Sequence, residues 1–214
     1  MPKNGLKKGL IALSVGLCVT VFVSACNSTL HFKAEAEKKK ATQTEAPPMP
    51  DLLAVGTEAP PFTLQTLEGK TYSLKEFQGK KMVLIEFFST GCPHCHASVP
   101  FLQFIAENFS DTVQLLAINS ADQPGQPSTT PEFRDHYKTR FPILEIPNQE
   151  LLTNYHLRGF PTSYLIDTDG KIIWVHEGVY SNVTMIQLEK ALYPNEKPEA
   201  FAKATTEAPH PAKN

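Results

Sequence analysis

The residues best suited to chemistry in this 214-residue chain are the four in Cys92-Pro-His-Cys95. Two cysteines three positions apart can close a small ring through a disulfide and reopen it by thiol–disulfide exchange. The apolar run Met82-Val-Leu-Ile-Glu-Phe-Phe88 before them reads as a buried strand, Ser89-Thr-Gly91 as a turn, and the residues after them as an apolar helix. A helix beginning at Cys92 directs the positive end of its amides at the first sulfur and favours the thiolate there. Cys92 is therefore the expected exposed, attacking sulfur. Cys95, one turn inward, is the expected shielded thiol, protonated until it resolves a mixed disulfide. Pro93 and His94 stand between them. His94 is placed to donate to the Cys92 sulfur or to stabilise it as an imidazolium, whereas His96 faces away by helix geometry and carries no expected role.

The elements that must position this pair alternate between strand and helix patterns. Residues 62–66 and 71–74 read as a hairpin around Glu68-Gly69-Lys70. Strand 82–88 then leads into a helix over 92–108, with Val99, Leu102, Ile105 and Phe109 at helical spacing and Pro100 as a kink. A second buried strand is predicted over 113–119, followed by a Pro/Gly/Ser-rich loop over 122–130 and a helix over 131–139. A short strand near Ile143 and a helix over 149–156 come next. Strands over 162–166 and 172–176 form a hairpin around Asp167-Thr-Asp-Gly170, a turn without enough ligands for a calcium loop. A last helix covers 183–192. Strands separated by helices imply an α/β fold with a mixed sheet covered on both faces and an extra hairpin at its start.

The segments flanking this domain (residues 51–193) are of another kind. Lys3, Lys7 and Lys8 precede sixteen apolar-rich residues, 10–25, fewer than the roughly 18–20 that span a bilayer, so residues 1–25 read as an export signal. The run ends Val23-Ser-Ala-Cys26, which resembles the lipobox of bacterial lipoproteins and implies lipidation of Cys26. Cys18 fits less well, because Leu17 stands where a small residue is needed. Residues 26–50 are charged and proline-ended and read as a flexible tether, and 194–214 as a disordered tail. With Cys18 removed and Cys26 acylated, only Cys92 and Cys95 remain in the folded part, in a compartment that permits disulfides. Net charge is −2 for the chain, and the three signal lysines leave 17 basic against 22 acidic side chains after them. That balance gives no basis for nucleic-acid binding.

The order of elements, with Cys92-Pro-His-Cys95 after a buried strand and Phe160-Pro-Thr162 downstream, resembles the thioredoxin fold. Val55-Gly-x-x-Ala-Pro-x-Phe62 and Gly159-Phe-Pro-Thr-Ser-Tyr-Leu-Ile-Asp167 are similar to the TlpA/ResA branch of membrane-tethered thiol–disulfide oxidoreductases, and the resemblance covers residues 53–192. Leu84-Ile-Glu-Phe-Phe-Ser89 before Cys-Pro-His-Cys is similar to the DsbA family. The resemblance implies that Glu86, six residues before Cys92, matches the buried carboxylate of thioredoxin-like proteins. A carboxyl in an apolar strand has a raised pKa and is a proton acceptor for Cys95, through water; strand alternation alone also allows Glu86 to point outward. It implies likewise that Pro161 is the cis-proline opposite the dithiol, presenting Phe160 and Thr162 to an extended substrate. The glutamate that some ResA-type reductases carry three residues after the second cysteine is replaced by Ser98.

The expected activity is a thiol–disulfide oxidoreductase lipid-anchored in a bacterial cell envelope, facing the periplasm or exterior. Its expected partners are exported cysteine-containing proteins and a membrane redox partner, and the branch resemblance implies a place in cytochrome c biogenesis. No cofactor beyond the Cys92–Cys95 disulfide, and no resident metal, is expected. The alternative is a copper-binding assembly factor for a respiratory oxidase, since soft thiolates suit Cu(I). A peroxiredoxin motif would need Pro at Ile85 and Thr at Ser89. Direction of electron flow stays open: Pro-His between the cysteines favours an oxidising couple, the branch resemblance a reductase.

Overall fold

A computed structural model describes residues 51–120 and 127–195. The expected export signal, Cys26, the tether over 26–50, all but the first two residues of the 194–214 tail, and part of the 122–130 loop lie outside the described residues. The first hairpin pairs β1 (Thr63–Gln65) with β2 (Thr71–Ser73), and a 3-10 turn (Leu74–Phe77) follows. Then come β3 (Met82–Phe88), α1 (Pro93–Asn108), β4 (Val113–Asn119), α2 (Thr130–Tyr137), β5 (Ile143–Glu145), α3 (Glu150–Asn154), β6 (Thr162–Ile166), β7 (Ile172–Glu177) and α4 (Asn182–Leu192). Strands β3, β4 and β6 have the expected bounds. Helix α3 is shorter than the span read from sequence, because His156 takes a left-handed φ of 53° that no α-helix accommodates.

The seven strands form one mixed sheet in the order β2-β1-β5-β4-β3-β6-β7. β3 lies at its interior, parallel to β4 and antiparallel to β6. Side-chain alternation sends Leu84 and Phe88 to a core shared with α1, Phe133 of α2 and α4. Val83, Ile85 and Phe87 go to the opposite core, roofed by Leu74 and by Leu151 and Tyr155 at α3. Glu86 shares its parity with Leu84 and Phe88 and so lies on the α1 face, with none of its surface exposed. The outward alternative for Glu86 is thereby excluded: both faces of β3 are covered, and neither is solvated.

Two turns explain short sequence motifs. Gly56 donates to the Ile172 carbonyl at 2.8 Å and Ala59 to that of Gly170 at 2.9 Å, fastening the Val55-Gly-x-x-Ala-Pro segment to the start of β7. Gly56 adopts a φ of 93°, open to glycine and strained for other residues. In the β6–β7 turn, Asp167 Oδ1 accepts from the amides of Asp169 (2.9 Å) and Lys171 (2.8 Å), an Asx-type turn as its sequence suggests. Helix α1 continues past Pro100, whose missing N–H removes one rung of its hydrogen-bond ladder.

Candidate active site

The carboxyl end of β3 and the amino end of α1 bring the two cysteines to the edge of the sheet. Cys92 is the N-cap of α1, in extended backbone (φ −92°, ψ 115°), and Pro93 occupies the first turn, where its lack of an N–H costs no bond. The Cys92 carbonyl accepts from the amides of Cys95 (3.0 Å) and His96 (3.1 Å), and its sulfur accepts from the amide of Cys95 at 3.3 Å. The thiol of Cys92 also faces the Phe160 carbonyl at 3.7 Å. Both cysteines are free thiols, Cys92 half-buried and Cys95 only 2% exposed. Burial, reinforced by a hydrogen bond to Cys92, pushes the Cys95 thiol far above its ordinary range, so it is held protonated. The two sulfurs are thus adjacent and unequal, one reachable and one enclosed.

His94 differs from expectation in part. Its ring is exposed, and no side-chain hydrogen bond joins it to the Cys92 sulfur, where the Cys95 amide stands instead. His96, expected to lack a role, is half-buried and held at both ring nitrogens. Nε2 lies 2.6 Å from the Thr90 carbonyl and Nδ1 lies 2.8 Å from the Tyr137 hydroxyl. A carbonyl only accepts, so Nε2 carries a hydrogen, and in the neutral ring Nδ1 accepts from Tyr137. Edge-on contacts with Phe133 and Tyr137 complete its seat. His96 therefore ties the turn that presents Cys92 to α2.

Glu86 sits behind Cys95 on the α1 face. Its Oε2 accepts from the Ser163 hydroxyl, and its Oε1 has no hydrogen-bond partner. Desolvation raises its pKa to about 8, against the opposing influence of the nearby Ser163 and Tyr180 hydroxyls. A neighbouring carboxylate in turn disfavours the Cys95 thiolate. Glu86 and Cys95 therefore compete for protons rather than both ionising. This is the relation a proton acceptor for Cys95 requires.

The Phe160–Pro161 peptide bond is cis, as the resemblance implies. Its Phe160 carbonyl points at Cys92, and the Phe160 side chain is partly buried against both cores. Thr162 differs from its expected substrate-facing place. Its side chain is fully buried, its hydroxyl donates to the Gly159 carbonyl at 2.8 Å, and its main chain lies inside the sheet between β3 and β7. Ser163 and Tyr180 were not singled out from sequence. Their relevance depends on the β3–β6 register, which no local pattern reveals. Among the described residues, no group of three or more His, Cys, Asp or Glu side chains gathers to hold a metal ion.

Known proteins resemble this chain in sequence and in fold. The model of the AhpC/TSA family matches residues 55–175. The thioredoxin-like protein YneN of Bacillus subtilis is 32% identical over 132 residues, covering 62% of this chain and 76% of that protein. A thiol-disulfide oxidoreductase ResA of Bacillus thuringiensis is 32% identical over 141 residues, 65% of this chain and 78% of its own. Among solved structures, an exposed lipoprotein thioredoxin of Streptococcus pneumoniae superposes with a TM-score of 0.51 at 31% identity, over 60% of this chain and 97% of that one.

Proposed function

This chain belongs to the AhpC/TSA family of thioredoxin-like proteins, and we propose that it is a thiol–disulfide oxidoreductase working through a reversible Cys92–Cys95 disulfide. The observation that carries this reading is the asymmetry of the pair, with a reachable Cys92 at a helix N-cap backed by a buried, protonated Cys95. Acting as reductant, the Cys92 thiolate attacks a substrate disulfide. One substrate sulfur leaves as thiolate and the other stays bonded to Cys92. Cys95 then gives its proton to Glu86, and its sulfur attacks Cys92 Sγ. The mixed disulfide breaks, the ring disulfide forms, and the second substrate thiolate departs. Two electrons pass to the substrate, and the reverse sequence oxidises a dithiol. The relative potentials of protein and substrate set the direction.

The finer reading places this chemistry on exported cysteine-containing proteins, with the chain tethered outside the cytoplasm through lipid on Cys26 and recharged by a membrane redox partner. It is supported by the lipobox-like Val23-Ser-Ala-Cys26 and by a similar pneumococcal protein described as an exposed lipoprotein. His94, exposed and two residues after Cys92, would act on the developing thiolate through its charge rather than by a hydrogen bond. The Phe160 backbone next to Cys92 suits main-chain pairing with an extended substrate. A peroxidase is not favoured despite the family name, since Ile85 and Ser89 stand where that motif has Pro and Thr. Copper handling has two sulfurs and no third ligand among the described residues to recommend it.

The test is catalysed exchange. The protein is expected to accelerate reduction of a disulfide-bonded test protein by dithiothreitol, or oxidation of a reduced one by glutathione disulfide. Cys92→Ser is expected to return both rates to the uncatalysed level. Equal activity in Cys92→Ser would overturn the assignment of Cys92, and no acceleration of either reaction by the native sequence would overturn the function.

A further inference from the structure

The α1-facing core holds a chain of three buried polar side chains. Glu86 on β3 and Ser163 on β6 are register partners, and both are fully enclosed. The Ser163 hydroxyl donates to Glu86 Oε2, and the Tyr180 hydroxyl donates to Ser163 Oγ at 2.9 Å. Tyr180 precedes α4 and is 3% exposed. Its ring stacks on Phe101 of α1 at 6.2 Å and meets Trp174 and His176 of β7 at 6.3 and 5.4 Å. Aromatic contacts from two elements therefore fix where its hydroxyl points.

Hydrogen-bond logic gives this chain one polarity. An ionised carboxylate only accepts, so Ser163 must spend its single hydrogen on Oε2. The Ser163 oxygen is then left to accept, and Tyr180 donates to it. The arrangement is complete when Glu86 is charged and specifically stabilises that state. It occupies Oε2 and leaves Oε1 as the oxygen without a partner. The titratable groups around Glu86 are Cys95 from α1, Tyr180 from the segment before α4, and beyond it His176 of β7, whose Nε2 lies 3.3 Å from the Val179 carbonyl. Ala117, its register partner on β4, brings no charge.

We propose that Ser163 and Tyr180 are positioning residues that hold Oε2 of Glu86 and reserve Oε1 for the proton that Cys95 loses. The proposal rests on the reading of Glu86 as proton acceptor in the exchange reaction. The chain is needed because burial among apolar neighbours such as Leu84, Phe88 and Leu165 disfavours the charged carboxylate. Two hydroxyls in series return it to a range where it exchanges protons with a thiol.

The test follows the Glu86 carboxyl by NMR across pH in the reduced full chain labelled with carboxyl-13C glutamate, the signal being assigned by its loss in Glu86→Gln. Ser163→Ala is expected to raise the titration midpoint by roughly one pH unit, a tenfold gain in proton affinity. Tyr180→Phe, which deletes a hydroxyl and keeps the ring, is expected to raise it less. In parallel, the pH midpoint for resolution of a Cys92 mixed disulfide is expected to rise, while the alkylation rate of Cys92 stays unchanged. An unmoved or lowered Glu86 midpoint in either variant would overturn the proposal, and Tyr180→Phe decides it alone if Ser163→Ala fails to fold. The titration reads the hydroxyl chain even if the native sequence proves inactive in exchange, so the two readings fail separately.

Discussion

Cys95→Ser is expected to stop turnover and to accumulate as a covalent adduct of Cys92 with its substrate. Cys92 still attacks in this variant, because its exposure and its place at the start of α1 do not depend on the second sulfur. What is lost is the intramolecular thiol that breaks the mixed disulfide. Groups held in reacting geometry act at effective molarities on the order of 10⁵ M or more, so replacing Cys95 with millimolar external thiol is expected to slow release by at least about a thousandfold. Non-reducing electrophoresis and mass spectrometry of the trapped species check this, and the adduct is expected to vanish when Cys92→Ser is added. The fold is expected to persist at a modest loss, since the new hydroxyl sits in a nearly closed apolar site at a cost of about 1–3 kcal/mol.

Glu86→Gln is expected to separate two effects that native Glu86 couples. The first is stability. The carboxyl titrates near its ordinary value of 4.5 in the unfolded chain and at about 8 in the folded one. Between those values the native state binds the extra proton, so stability falls as pH rises, by about 1.4 kcal/mol per unit for this group. The stabilisation is complete below the unfolded value and lost once pH has risen through the folded one. Glutamine cannot titrate, so the variant is expected to lack this slope and to exceed the native protein in stability above pH 8. Denaturant midpoints measured from pH 5 to pH 9 check the sign. The second effect is on resolution, which needs the ionised carboxylate as base. The native rate is expected to climb with pH and level off above about 8, and Glu86→Gln is expected to lower it by roughly 10²–10⁴-fold. A variant at once more stable in alkali and slower in exchange is the signature of a buried group retained for its chemistry.

The parts of this site that were legible in sequence are those written locally. Seven apolar-rich residues, a turn, and Cys92-Pro-His-Cys95 specify a strand leading into a helix whose first turn carries the reactive sulfur. Pro161 was recognisable through its family resemblance, and its bond is cis. The orientation of Glu86 was not legible, because β3 is apolar on both faces and period-two alternation has no solvated side to calibrate it. Ser163 looked like any small residue in a buried strand until antiparallel pairing with β3 set it opposite Glu86. Tyr180, still further along the chain, reached that pair only through the packing of Phe101 and Trp174. The seat of His96 is hidden from sequence for the same kind of reason. Helix geometry turns it from Cys92, but its partner Tyr137 lies 41 residues away on α2. The resemblance implies a substrate-facing Thr162, whereas its buried hydroxyl donates to Gly159, a local bond that no sequence pattern announces.

The most direct measurement is the redox equilibrium of the purified protein in buffers of graded dithiothreitol poise, read by differential alkylation and peptide mass. A reversible switch predicts that Cys92 and Cys95 lose two hydrogens together and regain them, with a two-electron dependence of about 30 mV per tenfold change in the ratio. Alkylation of both thiols in every buffer, or oxidation that pairs either with some other cysteine, would contradict it.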